Sequence, residues 1–256
     1  MIKIKTSQEI EMMVKPNRLV AECLALAGEM VKPGVSTAEI NDAVELYIEK
    51  NNAEAAFKGI SGQMGAGPFP SACCMSIDSQ VVHGFPSDIP LEEGQILSID
   101  IGVKLNDWYG DAARTFIVGG RTDSRTDELV RTTRESLDEA VEFARAGQHL
   151  SDIGHAVQRY VESYGFSVVR DLVGHGIGQE LHEEPQVPNY GKAGQGVVLR
   201  EGMVLAIEPM VNMGTYKVSV LQDGWTVVTR DGKPSAHFEH TVAITGNGPR
   251  ILTLDP

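Results

Sequence analysis

Residues 31–50, VKPGVSTAEINDAVELYIEK, align without a gap to residues 144–163, ARAGQHLSDIGHAVQRYVES, and residues 91–103, LEEGQILSIDIGV, align to residues 199–211, LREGMVLAIEPMV. The two matches lie at offsets of 113 and 108 positions, close enough to each other to require a common cause. The 256 residues are therefore expected to form one duplicated unit, with halves at about 1–120 and 121–256, rather than an array of short repeats. A chain of this length can bury a sizeable core as a single domain.

Each half is written in the same order, helices before strands. In the first, the capping box Thr6-x-x-Glu9 opens a long amphipathic helix, within which Pro16 is expected to force a kink or a fresh start. Gly34 closes that segment, and Ser36-x-x-Glu39 caps a second helix running to about Asn51. Strand-like runs follow in CCMSIDSQVVHG, QILSIDIGV and YGDAARTFIVG. The second half predicts helices from about Arg125 to Arg145 and from Ser151 to Tyr164, then strands in FSVVRDLVG, MVLAIEPMV, GWTVVTR and FEHTVAIT. Blocks of helix followed by blocks of strand place the chain in the α+β class. The expected architecture is two halves related by a pseudo-twofold, with a curved antiparallel sheet inside and helices outside.

The duplication makes one position informative. The Ile-Asp step of SIDIGV aligns with the Ile-Glu step of AIEPMV, so Asp100 and Glu208 occupy matching places in what should be central strands. A carboxylate buried alone would protonate unless a cation or donors compensated it. The plainer alternative is a strand-end acid in water or paired with arginine. Each half adds a second acid on its next strand: Asp111 opens DAARTFIVG, and Glu239 opens EHTVAIT near the matching point. If each pair sits on neighbouring strands, four carboxylates converge across the pseudo-twofold and cannot all ionise without cations. Two divalent ions would cancel the four charges, with shared carboxylates bridging them. A net charge of −13 accommodates such a cluster and argues against a general nucleic-acid-binding surface.

The stretch GHGIGQELHEEP holds His175 and His182 seven residues apart. It matches neither dinucleotide-binding nor phosphate-loop spacing, and its three glycines in five residues would cost a helix about 1 kcal/mol each. A turn or twisted strand exposing His175 in a tight space fits better. His83, in VVHGFP, is the comparable feature of the first half. His149 and His155 read as solvated cap and surface positions, whereas His237 and His240 flank Glu239 and stay ambiguous. Apolar runs fall far short of the roughly 18 to 20 residues of a membrane span, and MIKIKTSQEIEMMVKP has no secretory-signal pattern, so a cytoplasmic location is expected. Cys23, Cys73 and Cys74 form neither a disulfide framework nor a zinc-binding pair.

Taken together, VVHGFP, SIDIGV, YGDAARTF, GHGIGQELHEEP, AIEPMV, DGWTVVTRDG and SAHFEHTVAIT resemble, in this order and spacing, the type I methionine aminopeptidases, from about Thr6 to the last strand. The resemblance implies the pita-bread fold as a single catalytic domain. It implies that Asp100 and Asp111 hold one divalent ion and His175 and Glu208 another, with Asp111 and Glu239 bridging; Co, Mn, Fe(II) or Zn would suit such ligands. A hydroxide between the ions would attack the first peptide bond, with Glu208 as proton shuttle. His83 and His182 would contact substrate and stabilise the tetrahedral intermediate. Phe69, Cys74 and Trp225 would surround the substrate methionine, with Leu181 nearby. The activity implied is removal of the initiator methionine from nascent proteins whose second residue is small; by that rule Ile2 would leave this chain's own Met1 in place. Three departures from the family touch the pocket rather than the ligands: Leu181 where Phe is usual, His237 where Gln is typical, and a glycine-rich FKGISGQMGAGPFP.

Two rivals are set aside. Prolidase and aminopeptidase P share the fold and the ligands but usually carry a large additional N-terminal domain. A binding module that had lost its metals would have no reason to keep all five ligands. The 25 residues between His182 and Glu208 also leave no room for the insertion of type II enzymes. The expected partners are nascent polypeptide N-termini, with the ribosome as a candidate platform near Lys217, Arg230 and Lys233. No membrane or specific nucleic acid is expected, and the chain should be a monomer.

Overall fold

Four helices pack against a strand layer built from both halves in the computed structural model, which describes residues 1–62 and 66–254. Helix α1 spans Ser7–Met30, and its capping box is formed: the Thr6 hydroxyl accepts from the Glu9 N–H while the Glu9 carboxylate accepts from the Thr6 N–H. Helix α2, Thr37–Lys50, carries the same device on Ser36 and Glu39. Helix α3, Ser124–Glu142, starts on Asp123, whose carboxylate accepts from the Arg125 and Thr126 N–H groups. Helix α4 spans Leu150–Ser163, with Asp152 accepting from the His149 N–H at 2.7 Å. Of the kink or fresh start expected at Pro16, the fresh start does not occur, and α1 is one helix through it. Gly110 explains why packing can override the local penalty. A Cβ there would meet Asn17 and Pro16 main-chain atoms at 2.8–2.9 Å, so the strand backbone lies directly against the helix. The Asn17 side chain also donates to the Met13 carbonyl at 2.7 Å within that turn.

All pairings between the strands are antiparallel, in four hydrogen-bonded patches rather than one unbroken sheet. In the first half, Ile96–Leu105 and Trp108–Ile117 form a long hairpin, and Cys73–Ile77 lines the other edge of Ile96–Leu105. In the second half, Val204–Ile207 pairs with His240–Thr245 and Met210–Asn212 pairs with Ser235–His237, in one register interrupted at Glu208 and Pro209. Proline has no N–H to donate, so a ladder lapses there. Gly174–Gly176 takes the free edge of Val204–Ile207 and pairs on its other side with Glu183–Val187. Each half buries its own apolar core beneath its helices, Val20, Val44 and Ile99 in the first, Leu137, Ile153 and Leu205 in the second. A third cluster, with Phe57, Phe69, Cys74, Ile177 and Leu181, joins the halves beside the acidic residues. No helix among the described residues is long and apolar enough to cross a membrane.

Candidate metal centre

Strand register brings the four acids together. Asp100 pairs with Ala113 and Gly102 with Asp111, which sets Asp100 and Asp111 diagonally on one face of the hairpin. Glu208 and Glu239 fall opposite one another in the lapse between the Ile207–His240 and Met210–His237 pairs. His175 pairs with Ala206, two residues before Glu208, and so shares that face. All five side chains reach one cavity of about 650 Å³. Oxygens of Asp111 and Glu239 and a ring nitrogen of His175 lie within 4.8 Å of one another, and His175 Nε2 stands 3.7 Å from Glu208 Oε1 and 3.8 Å from Asp111 Oδ2.

The glycines around His175 are there for want of room. A Cβ at Gly174 would meet the Ala206 carbonyl oxygen at 2.3 Å, one at Gly176 the Glu184 carbonyl oxygen at 2.3 Å, and one at Gly178 the Lys5 side chain at 2.6 Å. The segment is a short strand threaded between two neighbours, neither a helix nor a phosphate loop.

Burial dominates the electrostatics. It pushes the Asp100 carboxyl up to about 7 and holds Asp111, Glu208 and Glu239 well above the usual carboxylate range, where neighbouring acids add to the rise at those last three. Oδ1 of Asp100, Oδ1 of Asp111 and Oε1 of Glu239 are buried without a hydrogen-bond partner. Native proteins rarely leave such atoms unpaired. The His175 Nδ1–H donates to the Gly176 carbonyl at 2.9 Å, which leaves the Nε2 lone pair facing the acids. Burial lowers that imidazole to about 4, so it is neutral at neutral pH, the state in which histidine ligates. Orphaned carboxylate oxygens grouped with one oriented neutral imidazole suit a divalent cation.

Around this floor the cavity is lined by His83, His182, Phe69, Cys74 and Trp225. His83 adopts a left-handed backbone (φ 59°), an uncommon conformation for a residue with a Cβ and one that clusters at functional sites. Its ring meets Trp225 edge-on, and the His182 ring meets His175 edge-on at 4.5 Å. Leu181, expected near the substrate pocket, is buried in the joining cluster and is not among the cavity-lining residues. Phe57 and Ile60, from the glycine-rich segment that was expected to touch the pocket but not named individually, also line it. Residues 63–65 of the glycine-rich loop lie outside the described residues.

His237 is the main addition to the expected set. It is fully buried, its Nε2 lacks a hydrogen-bond partner, and that nitrogen lies 4.0 Å from Glu208 Oε2. Register also corrects the matching of the halves. Two residues beyond Asp100, Gly102 faces Asp111; two residues beyond Glu208, Met210 faces His237. The counterpart of Asp111 is thus His237, and that of Glu239 is Ala113. Matching strand starts without knowing the pairing could not resolve a two-residue difference.

The profile of metallopeptidase family M24 matches residues 11–246. A methionine aminopeptidase of Clostridium perfringens is 51% identical over 254 residues, 99% of either chain. The crystal structure of methionine aminopeptidase from Thermotoga maritima is similar with a TM-score of 0.94 at 48% identity, covering 100% of both chains. The prolidase from Pyrococcus horikoshii OT3 is similar with a TM-score of 0.78 at 26% identity, and the match spans only 64% of that protein.

Proposed function

The chain belongs to metallopeptidase family M24, and from that membership we infer a type I methionine aminopeptidase with the pita-bread fold, a metal-dependent hydrolase that releases N-terminal methionine from polypeptides. The observation that carries this reading is the cluster of orphaned carboxylate oxygens beside an oriented imidazole on the floor of the cavity. The natural substrates are nascent polypeptide N-termini in the cytoplasm. Asp100 and Asp111 would hold one divalent ion and His175 and Glu208 a second, with Asp111 and Glu239 shared between them. When bound, the ions supply Lewis acidity toward the first peptide carbonyl and lower the pKa of water toward neutrality.

The chain's own groups do the rest. Glu208 takes up a proton during attack and returns it to the leaving amine. Burial lowers both His83 and His182, so at neutral pH each offers an N–H to the substrate carbonyl without setting a positive charge beside the substrate's α-ammonium. Phe69 and Trp225, edge-on at 5.1 Å, and the buried Cys74 thiol, kept protonated by burial, form an apolar and polarizable wall for a thioether side chain. Hydrolysis of Met-Ala-Ser, Met-Leu-Ser and Ala-Pro peptides by stripped and metal-loaded protein tests the reading. Metal-dependent release of Met from Met-Ala-Ser, and little from Met-Leu-Ser, is expected. Preference for Ala-Pro would move the chain to the proline-directed branch.

A further inference from the structure

Glu208 is approached from two sides. Its Oε1 faces His175 Nε2 at 3.7 Å and its Oε2 faces His237 Nε2 at 4.0 Å. The two imidazoles differ in what they can do. His175 spends its Nδ1–H on the Gly176 carbonyl and turns a lone pair toward the acids. His237 lies beneath the cavity rather than on its wall, and its Nε2 is buried with no partner at all. Leaving a buried polar nitrogen unpaired forfeits its hydration with nothing in return, so its retention calls for an acceptor within reach. The nearby acceptor is Glu208 Oε2, about 1 Å beyond ordinary hydrogen-bond range, and bonds of this kind in a ligand-free site commonly tighten when the site fills.

The backbone holding His237 is rigid. Its N–H donates to the Thr115 hydroxyl at 2.9 Å, and that hydroxyl donates back to the His237 carbonyl at 2.8 Å, tying the segment to the hairpin of the other half. By register His237 also occupies the place that Asp111 takes in the first half, so its side chain points to the face that carries the acids.

We propose that His237 is a positioning residue of the hydrolytic site, whose Nε2–H donates to Glu208 Oε2 and fixes the orientation of that carboxylate. The proposal rests on the role assigned above to Glu208 and deepens it. His237 contributes an N–H rather than a ligand atom, so it acts through Glu208, on turnover and on the hold of Glu208 on its ion, and leaves methionine binding alone.

The test compares His237→Leu and His237→Gln with the wild type, using Met-Ala-Ser hydrolysis, manganese affinity by calorimetry and imidazole NMR of the metal-free protein. Wild-type release of Met establishes the underlying reading separately. His237→Leu should then bind manganese more weakly and, with manganese saturating, lose about 10- to 100-fold in kcat at unchanged KM. His237→Gln, which keeps an N–H donor at similar reach, should recover most of the loss. The NMR spectrum should give His237 as the Nε2–H tautomer and His175 as the Nδ1–H tautomer. Equal loss in both variants, or a wild-type kcat for His237→Leu at saturating manganese, would overturn the proposal. So would a His237 Nδ1–H tautomer in the wild-type protein, a result that stands even if His237→Leu fails to fold.

Discussion

At the scale of single residues the site is held in tension by its own acids. In the metal-free protein burial raises all four carboxyls, Asp100 to about 7, and repulsion from neighbouring acids adds to the rise at Asp111, Glu208 and Glu239. Above the unfolded carboxyl range near pH 4, the folded state therefore binds more protons than the unfolded one, and stability falls as pH rises through the folded pKa. His83 and His175, lowered to about 4, work in the opposite sense, but only up to their unfolded value near 6.5. From pH 6.5 to 8.5 the melting temperature of stripped protein should drop, and added divalent metal should abolish the drop; thermal melts with and without chelator measure both. A stripped protein that gains stability over that range would contradict the charge account. Asp111→Asn removes one of the competing charges. It should melt a few degrees above the wild type in the stripped state at pH 8, while losing on the order of 10³-fold in metal-dependent activity. The acids were legible in sequence because a carboxylate in a central strand is anomalous anywhere. His237 was not, because beside Glu239 it looked like one more polar neighbour until register gave it a face.

At the scale of elements, tertiary contact repeatedly outranks local preference. The two capping boxes, Thr6 with Glu9 and Ser36 with Glu39, read correctly because a cap is a local exchange of hydrogen bonds. The fresh start expected as one outcome at Pro16 does not occur, because its penalty is local while its compensation comes from the strand that packs on it. The second-half strands read as longer than they are because the lapse at Pro209 follows from the missing N–H in a paired context. The N-terminal segment shows the same priority of contact. Lys5 Nζ sits 2.6 Å from Glu183 Oε2, the two side chains only 5% and 1% exposed. Burial outweighs the pairing at Lys5 and lowers it, while Lys5 and Lys3 hold Glu183 below its usual range against the opposing effect of burial. Lys5→Ala leaves the half-exposed Lys3 as the cation beside the buried Glu183, whose Oε1 also accepts from the Gln179 N–H, and should cost about 3 kcal/mol in urea unfolding. Lys5→Ala combined with Glu183→Gln should recover part of that loss; full additivity would contradict the pairing. Gly176→Ala, which drives a Cβ into the Glu184 carbonyl, should cost about 1–3 kcal/mol and weaken metal binding by shifting His175.

At the scale of the whole molecule, two halves each supply a pair of acids to one floor, Asp100 and Asp111 from strands and Glu208 and Glu239 from the lapse between strands, and a third cluster of apolar residues walls the cavity between them. The duplication and the convergence of the acids could be read from the sequence, since the strands that bring them together recur at fixed spacing. The cavity wall was legible only in part: Phe69, Cys74 and Trp225 line it as expected, whereas Phe57 and Ile60 come from a loop with no periodic signal and Leu181 turns into the core. The central claim is that this floor binds divalent metal and that methionine release depends on it. A single add-back titration tests it: stripped protein receives manganese while bound metal per chain and the rate of Met release from Met-Ala-Ser are read together. The account expects no release before metal, a rate that climbs with occupancy to saturation at two ions per chain, and neither binding nor release in Asp111→Ala. Release by fully stripped protein, or metal bound at the same level in Asp111→Ala, would contradict it.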